Sequence, residues 1–203
     1  MLIRKDWLDH TRRGKTPPEE APLPETSTDA TSSLLPAAQI EEALRNPRTM
    51  PRVPPELIDS ETLWLARVVY TESKRLEEQE LVAWVVRNRV ETAYRGKRTY
   101  QDVVLDAYQF SAFNPNSRKR RYYSSLDVDT QARGWQRTLS LAYYVRHAQA
   151  HLRPFSDRTR HFYSEVAMGG DEHPPWVRGI QPITPNRPVK LIAERFRFYE
   201  GVM

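Results

Sequence analysis

The 203-residue chain contains no cysteine, which excludes disulfides and thiolate metal sites and decides nothing about compartment. Its seven glycines leave no Gly-rich phosphate cradle, which argues against a nucleotide enzyme. No apolar run approaches the roughly 20 residues of a membrane-spanning helix. The opening MLIRKDWLDHTRRGKTPPEE also lacks the apolar segment of a signal peptide, so export, if it happens, is not explained by these residues.

What is present supports one domain, or one domain with a tail. Hydrophobic residues make up 39% and there are five tryptophans, enough for a core, yet the mean hydropathy of -0.72 means that much of the chain is solvated. The distribution is uneven. Residues 15–36 are dominated by Pro, Glu, Ser, Thr and Ala, a composition that cannot offset its ordering entropy by burial, and they read as a flexible tether. A short helix over 40–45 is followed by Pro51, Pro54 and Pro55, which predicts a flexible segment 1–54 and a domain over 55–203.

Charge divides the same way. Residues 1–55 hold eight basic and eight acidic residues, so the whole net charge of +5 lies beyond them. Its densest cluster is Arg118-Lys119-Arg120-Arg121, followed by Tyr122 and Tyr123. Such a cluster is either a solvated loop or a contact for a polyanion: nucleic acid, teichoic acid or an anionic cell wall.

Asp59 or Ser60 can cap a helix running to about Lys74, on which Leu65, Val68, Val69 and Glu72 share one inward face. A carboxylate there is paired, held protonated, or bent out to solvent. A protonated, raised-pKa carboxyl is what a general acid for glycosidic cleavage needs. A second helix, about Glu77 to Tyr94, places Asn88 on a stripe with Leu81 and Val85, and Arg89 beside Val82 and Val86. Thr99 reads as the cap of a short helix through Ala107, followed by a loop over 109–115. The longest periodic stretch, about Asp127 to Ala150, carries Val128, Ala132, Trp135, Leu139 and Ala142 at helical spacing. Beyond it, Arg160 to Tyr163 and Lys190 to Tyr199 read as short strands among proline-marked loops. The fold class is α+β, a helical body with a small strand-and-loop lobe. His147 and His151 share four-residue spacing, but with no third ligand indicated neither a metal nor another cofactor is expected.

LARVVYTES, VAWVVRNRV, YQFSAF, HFYS with Trp176 after it, and the closing RFRFYEG together resemble the catalytic domain of the SleB-like, spore-cortex-lytic cell wall hydrolases. The resemblance spans roughly Glu61 to Val202. It implies a mainly helical lysozyme-like (lytic transglycosylase-like) fold with Glu72 as the essential acid and a glycan groove lined by the YQFSAF loop. Two features depart from the family's pattern: the segment 116–127 is longer and more charged, and Ser164-Glu165 stands where the family tends to have Asn-Pro.

The implied activity is cleavage of the β-1,4 bond between N-acetylmuramic acid and N-acetylglucosamine. Ordinary glycosidases use two carboxylates. A lytic transglycosylase manages with one, because the muramyl C6 hydroxyl attacks intramolecularly, and no second carboxylate with a persuasive setting is found; Asp102 and Asp106 read as a solvated helix face. Around Glu72 the resemblance nominates Ser73 of the Glu-Ser pair, Asn88 to hold a water or the carboxyl, Gln109 and Ser111 for N-acetyl and hydroxyl groups, and Tyr163 and Trp176 to stack on sugars. Each has a plainer reading: Asn88 bridging helices, Tyr163 in the core, Trp176 pinning a loop. The expected partners are peptidoglycan strands and anionic wall polymers rather than nucleic acid, with the chain a monomer acting at the cell wall, in the periplasm or outside. A catalytically silent wall-binding or nucleic-acid-binding domain using residues 118–121 is the alternative.

Overall fold

Six α-helices and two short strands follow one another along the residues that the computed structural model describes, 34–165, 173–187 and 196–202. Helix α2 (Ser60–Glu72) starts where the Asp59 carboxylate accepts the Thr62 amide at 2.9 Å, with Arg146 Nη1 2.8 Å from that carboxylate. After a three-residue turn, α3 (Leu76–Glu91) runs through the centre. Residues 81–86 have no exposed surface, the mark of a helix covered on all sides. α4 (Tyr100–Leu105) begins at the Thr99 cap, whose hydroxyl accepts the Asp102 amide at 3.0 Å.

The expected long helix is shorter than its periodicity. α6 (Trp135–His147) starts eight residues later than Asp127, because Gly134 has φ +79° and the preceding segment forms a turn instead. Trp135 Nε1 donates to Asp127 O at 2.6 Å and Gln136 Nε2 to Val128 O at 2.7 Å, contacts available only to a chain folded back on the helix. It also ends at His147, leaving His151 in a separate 3₁₀ turn, so the two histidines do not share a helix. Helices α2, α3 and α6 pack together around Trp84, Trp135, Tyr143 and Leu141. Between α4 and α6 lies α5 (Arg120–Ser124), whose start the basic cluster straddles, with Arg118, Lys119 and Arg121 exposed and Arg120 half-buried.

The packed body begins ahead of Pro55. Helix α1 (Ala37–Arg45) buries Ile40, Ala43 and Leu44, Val53 joins the same core, and the Leu35 amide donates to the Tyr143 hydroxyl at 3.2 Å. All of the described residues belong to the compact unit that starts at Ser32, so the start of the domain moves upstream of residue 55; residues 1–33 of the expected flexible segment lie outside the described residues.

Strand β1 (Thr159–Tyr163) pairs antiparallel with β2 (Arg197–Glu200), with Phe162 opposite Phe198 and an irregularity between Thr159 and His161. β1 lies against α3. The sequence expectation of a strand from Lys190 falls partly outside the described residues. The architecture is α+β and mainly helical, with a two-stranded sheet fastened to the central helix. No helix among the described residues is long and apolar enough to cross a membrane.

Candidate active site

The end of α2, the C-terminal half of α3, the loop after α4 and strand β1 meet at a cleft of about 730 Å³. Glu72 lies in it because it occupies the last position of α2, one turn beyond Val68 and Val69, so the apolar stripe that buries the helix carries the carboxyl inward. Burial pushes the Glu72 carboxyl up to about 7, against smaller opposing effects of the Thr71 hydroxyl, 3.5 Å away, and of the Arg89 guanidinium. Among the described residues, Glu72 is the one acidic side chain lining the cleft.

Arg89 faces the same space from α3. Its side chain is only 5% exposed; Nε donates to the Arg160 carbonyl at 2.7 Å, and the guanidinium carbon lies 5.6 Å from the Tyr94 ring and 5.2 Å from that of Phe110. Burial lowers its pKa to about 10, which leaves it charged at neutral pH. His161, on the buried face of β1, pairs through Nε2 with the Tyr94 hydroxyl at 2.9 Å, and its ring lies 5.3 Å from Trp176. Burial, reinforced by Arg89 and Arg160, lowers the His161 pKa to about 4 and keeps the ring neutral.

Four of the nominated binding residues line this cleft with Glu72: Gln109, Ser111, Tyr163 and Trp176. The first two are presented by a loop held by buried Phe110 and Phe113 and by Asn114 Oδ1, which accepts the Tyr108 amide at 3.0 Å. Tyr108 has φ +64° and its side chain is exposed at the rim. Tyr163 is stacked on Tyr199 at 5.8 Å, meets Trp176 edge-on at 5.9 Å and bonds His173 Nδ1 through its hydroxyl at 2.8 Å, so one ring face is already covered.

Two nominated residues do other work. The Ser73 hydroxyl donates to Glu78 Oε2 at 2.5 Å and accepts the Arg75 amide at 3.1 Å, while its carbonyl accepts Gln79 Nε2 at 2.7 Å. It is buried in the turn that joins α2 to α3 and does not line the cleft. Asn88 is fully buried, and its Nδ2 donates to the carbonyls of Ser156 at 3.0 Å and Thr159 at 2.9 Å. It fastens the start of β1 to α3, and the site uses it as a strut rather than as a ligand-binding group.

Arg89, Tyr94 and His161 are cleft residues that the sequence reading did not nominate. For Arg89 the signal was present, a cation on an otherwise apolar stripe next to Asn88. For His161 the alternation of β1 puts it on the same face as Tyr163, but its pairing with Tyr94 joins residues 67 apart. Among the described residues no cluster of three or more His, Asp or Glu side chains could hold a metal ion. Compared with known proteins, no family model, no curated protein and no solved structure matches this chain.

Proposed function

We infer that this chain is a peptidoglycan-cleaving enzyme of SleB-like, lysozyme-like type, acting on the β-1,4 bond between N-acetylmuramic acid and N-acetylglucosamine as a lytic transglycosylase. The observation that carries this reading is a single carboxyl, Glu72, poised near 7 in an aromatic and polar cleft whose described lining offers no second acid. The protonated Glu72 gives its proton to the glycosidic oxygen as the C1–O bond breaks and oxocarbenium character develops at the muramyl C1. The resulting carboxylate then takes the proton of the muramyl C6 hydroxyl, whose oxygen bonds C1. The product is a 1,6-anhydromuramyl end, and Glu72 is protonated again. Gln109 and Ser111 supply polar contacts to acetamido and hydroxyl groups, and Trp176 an aromatic surface for a sugar ring.

Acting first as acid and then as base, Glu72 gives a rate that falls on both sides of its pKa, with the acid step lost as pH rises above about 7. Mass spectrometry of digested sacculi decides the chemistry. Anhydromuramyl ends support the transglycosylase, reducing muramyl ends mean that water replaces the C6 hydroxyl, and sacculi left intact overturn the reading.

A second reading follows from the surface of α5. Arg118, Lys119 and Arg121 are exposed and form no ion pair with any described residue, and Tyr122 beside them is 54% exposed. We infer that this face meets an anionic wall polymer at the site of action. A silent binding domain would show salt-sensitive attachment to walls without turnover, and retention on nucleic acid rather than wall polymer would reassign the face.

A further inference from the structure

Among the described residues, the buried carboxylates of α3 are each paired with a cation, whereas its buried cation Arg89 is in no ion pair. Glu80 meets Arg187, and Glu78 lies 3.4 Å from Arg75. Even at the cleft, Arg95 is taken by Asp106 at 2.8 Å. Arg89 is in no ion pair with any described residue: the carboxylates of Asp106, held by Arg95, and of Glu72 favour its charge only from beyond contact distance, and its buried Nη1 forms no hydrogen bond. The isolation is reinforced next door. Arg160 lies 4.9 Å from the same Tyr94 ring, and its buried Nε is also without a partner. His161 is neutral, so it adds a polar ring and no compensating charge. The Glu72 carboxyl is protonated when ready to act as an acid, so at that stage the floor of the cleft carries positive charge without a counter-ion from its described lining.

A buried guanidinium without an anion in direct contact is incompletely compensated, and a planar fork held by Nε and flanked by aromatic rings is preorganised for one kind of group. We propose that Arg89 forms a carboxylate-binding subsite at the floor of the cleft and selects glycans that bring an acid group on the muramyl unit. That carboxylate comes either from the lactyl ether of a peptide-free muramyl residue or from the stem peptide attached to it; the chemistry at Arg89 is the same. The subsite rests on the glycan-cleaving reading of the cleft and deepens it. It makes the cleft selective for muramyl over purely N-acetylglucosaminyl chains.

The test uses the full chain carrying Glu72→Gln, so that ligands survive, with isothermal titration at low salt. The probes are tetra-N-acetylglucosamine, a muramyl tetrasaccharide with free lactyl carboxylates, the same sugar with those carboxylates amidated, and a form bearing stem peptides. The charge-assisted contact predicts roughly ten- to a hundredfold tighter binding of the free-carboxylate sugar than of its amide. Tight binding of the peptide-bearing form alone assigns the carboxylate to the peptide. Adding Arg89→Gln collapses the ratio between acid and amide probes, and Arg89→Lys, which keeps charge but not the fork, retains part of it. Equal binding of acid and amide probes with Arg89 intact, or a preference that survives Arg89→Gln in a protein still folded by circular dichroism, overturns the subsite while leaving the glycan reading standing. If no glycan binds, sodium lactate is titrated against the protein with sodium chloride at matched ionic strength, following the Arg89 Nε–H resonance. A lactate-specific shift keeps the carboxylate site and removes the glycan reading, whereas no shift removes both.

Discussion

The helical core and the floor of the cleft are built from adjoining stretches of one helix, yet they satisfy opposite rules. In residues 81–86 of α3 every side chain is fully buried and predominantly apolar, packed with Leu141, Ala142 and Val145 of α6, which are buried as completely. One turn further along α3, at Asn88 and Arg89, the interior becomes polar and incompletely satisfied. Asn88 Oδ1, Arg89 Nη1, Thr159 Oγ1, Arg160 Nε and His161 Nδ1 are all buried without a hydrogen-bond partner among the described residues. These five atoms belong to the end of α3 and to β1 beside it. Other such atoms among the described residues, among them Tyr144 Oη and the Nε of Arg153 and Arg187, are scattered, whereas these five adjoin one another; buried polar groups are nearly always satisfied in folded proteins, so that grouping points to a site whose complement is a ligand.

The strongest way to sharpen that contrast is Glu72→Gln. It preserves shape and removes the titrating proton, so turnover of peptidoglycan is expected to fall by roughly 10²–10⁴ while fold and ligand binding survive. Muropeptide release at near wild-type rate from the folded variant would remove Glu72 as the acid. The next largest effect belongs to the core. Leu141→Ala leaves a cavity among fully buried neighbours and is expected to cost about 2–5 kcal/mol in denaturant unfolding, with little change in kcat well below the melting temperature. A large kcat loss there would mean that core and site are not separable.

Asn88→Ala tests the boundary. It removes the donor from the carbonyls of Ser156 and Thr159, for an expected cost of about 1–3 kcal/mol, and it releases β1 from α3. Unlike Leu141→Ala, it should lower kcat as well as stability, because His161 and Tyr163 are carried on that strand. Unchanged kcat at a temperature where the variant is folded would show that the strand holds its place without the strut.

How much of this was legible follows the same division. The Leu65, Val68, Val69 and Glu72 stripe is a local periodicity and identifies both the inward face of α2 and the carboxyl at its end. The caps at Asp59 and Thr99 are local too. The start of α6 misled because Val128 and Ala132 fall on the helical period, while Gly134 and the Asp127–Thr130 turn, closed by a 2.9 Å bond between their side chains, override it. Asn88 was correctly read as inward, but its partners lie 68 and 71 residues away, and no spacing rule reveals whether an inward amide meets a backbone or a substrate. Ser73 was drawn into the site by its place in a motif, whereas its hydroxyl is taken up by the turn between α2 and α3. The unsatisfied cluster itself was invisible in sequence, since it exists only once β1 is laid on α3.

The smallest expected effect is the most specific to the site. The Glu72 carboxyl has an ordinary value of 4.5 and is raised to about 7 in the folded protein, so between those values the native state holds a proton that the unfolded chain has released. Wild-type stability is therefore expected to decline as pH rises through that window and to level off above it. Glu72→Gln carries no titrating group, so its melting temperature relative to wild type should rise from pH 5 to pH 8. By linkage that window corresponds to a change on the order of 1–3 kcal/mol, or roughly 2–10 °C for a chain of this size, within reach of calorimetry at matched ionic strength. The same pH series on Leu141→Ala should run parallel to wild type, because its cavity changes no proton equilibrium. If the Glu72→Gln difference instead stays flat or falls with pH, the folded protein holds Glu72 ionised beside Arg89. The floor of the cleft would then be a satisfied ion pair rather than an acid facing an unpaired cation, and the contrast with the core would disappear.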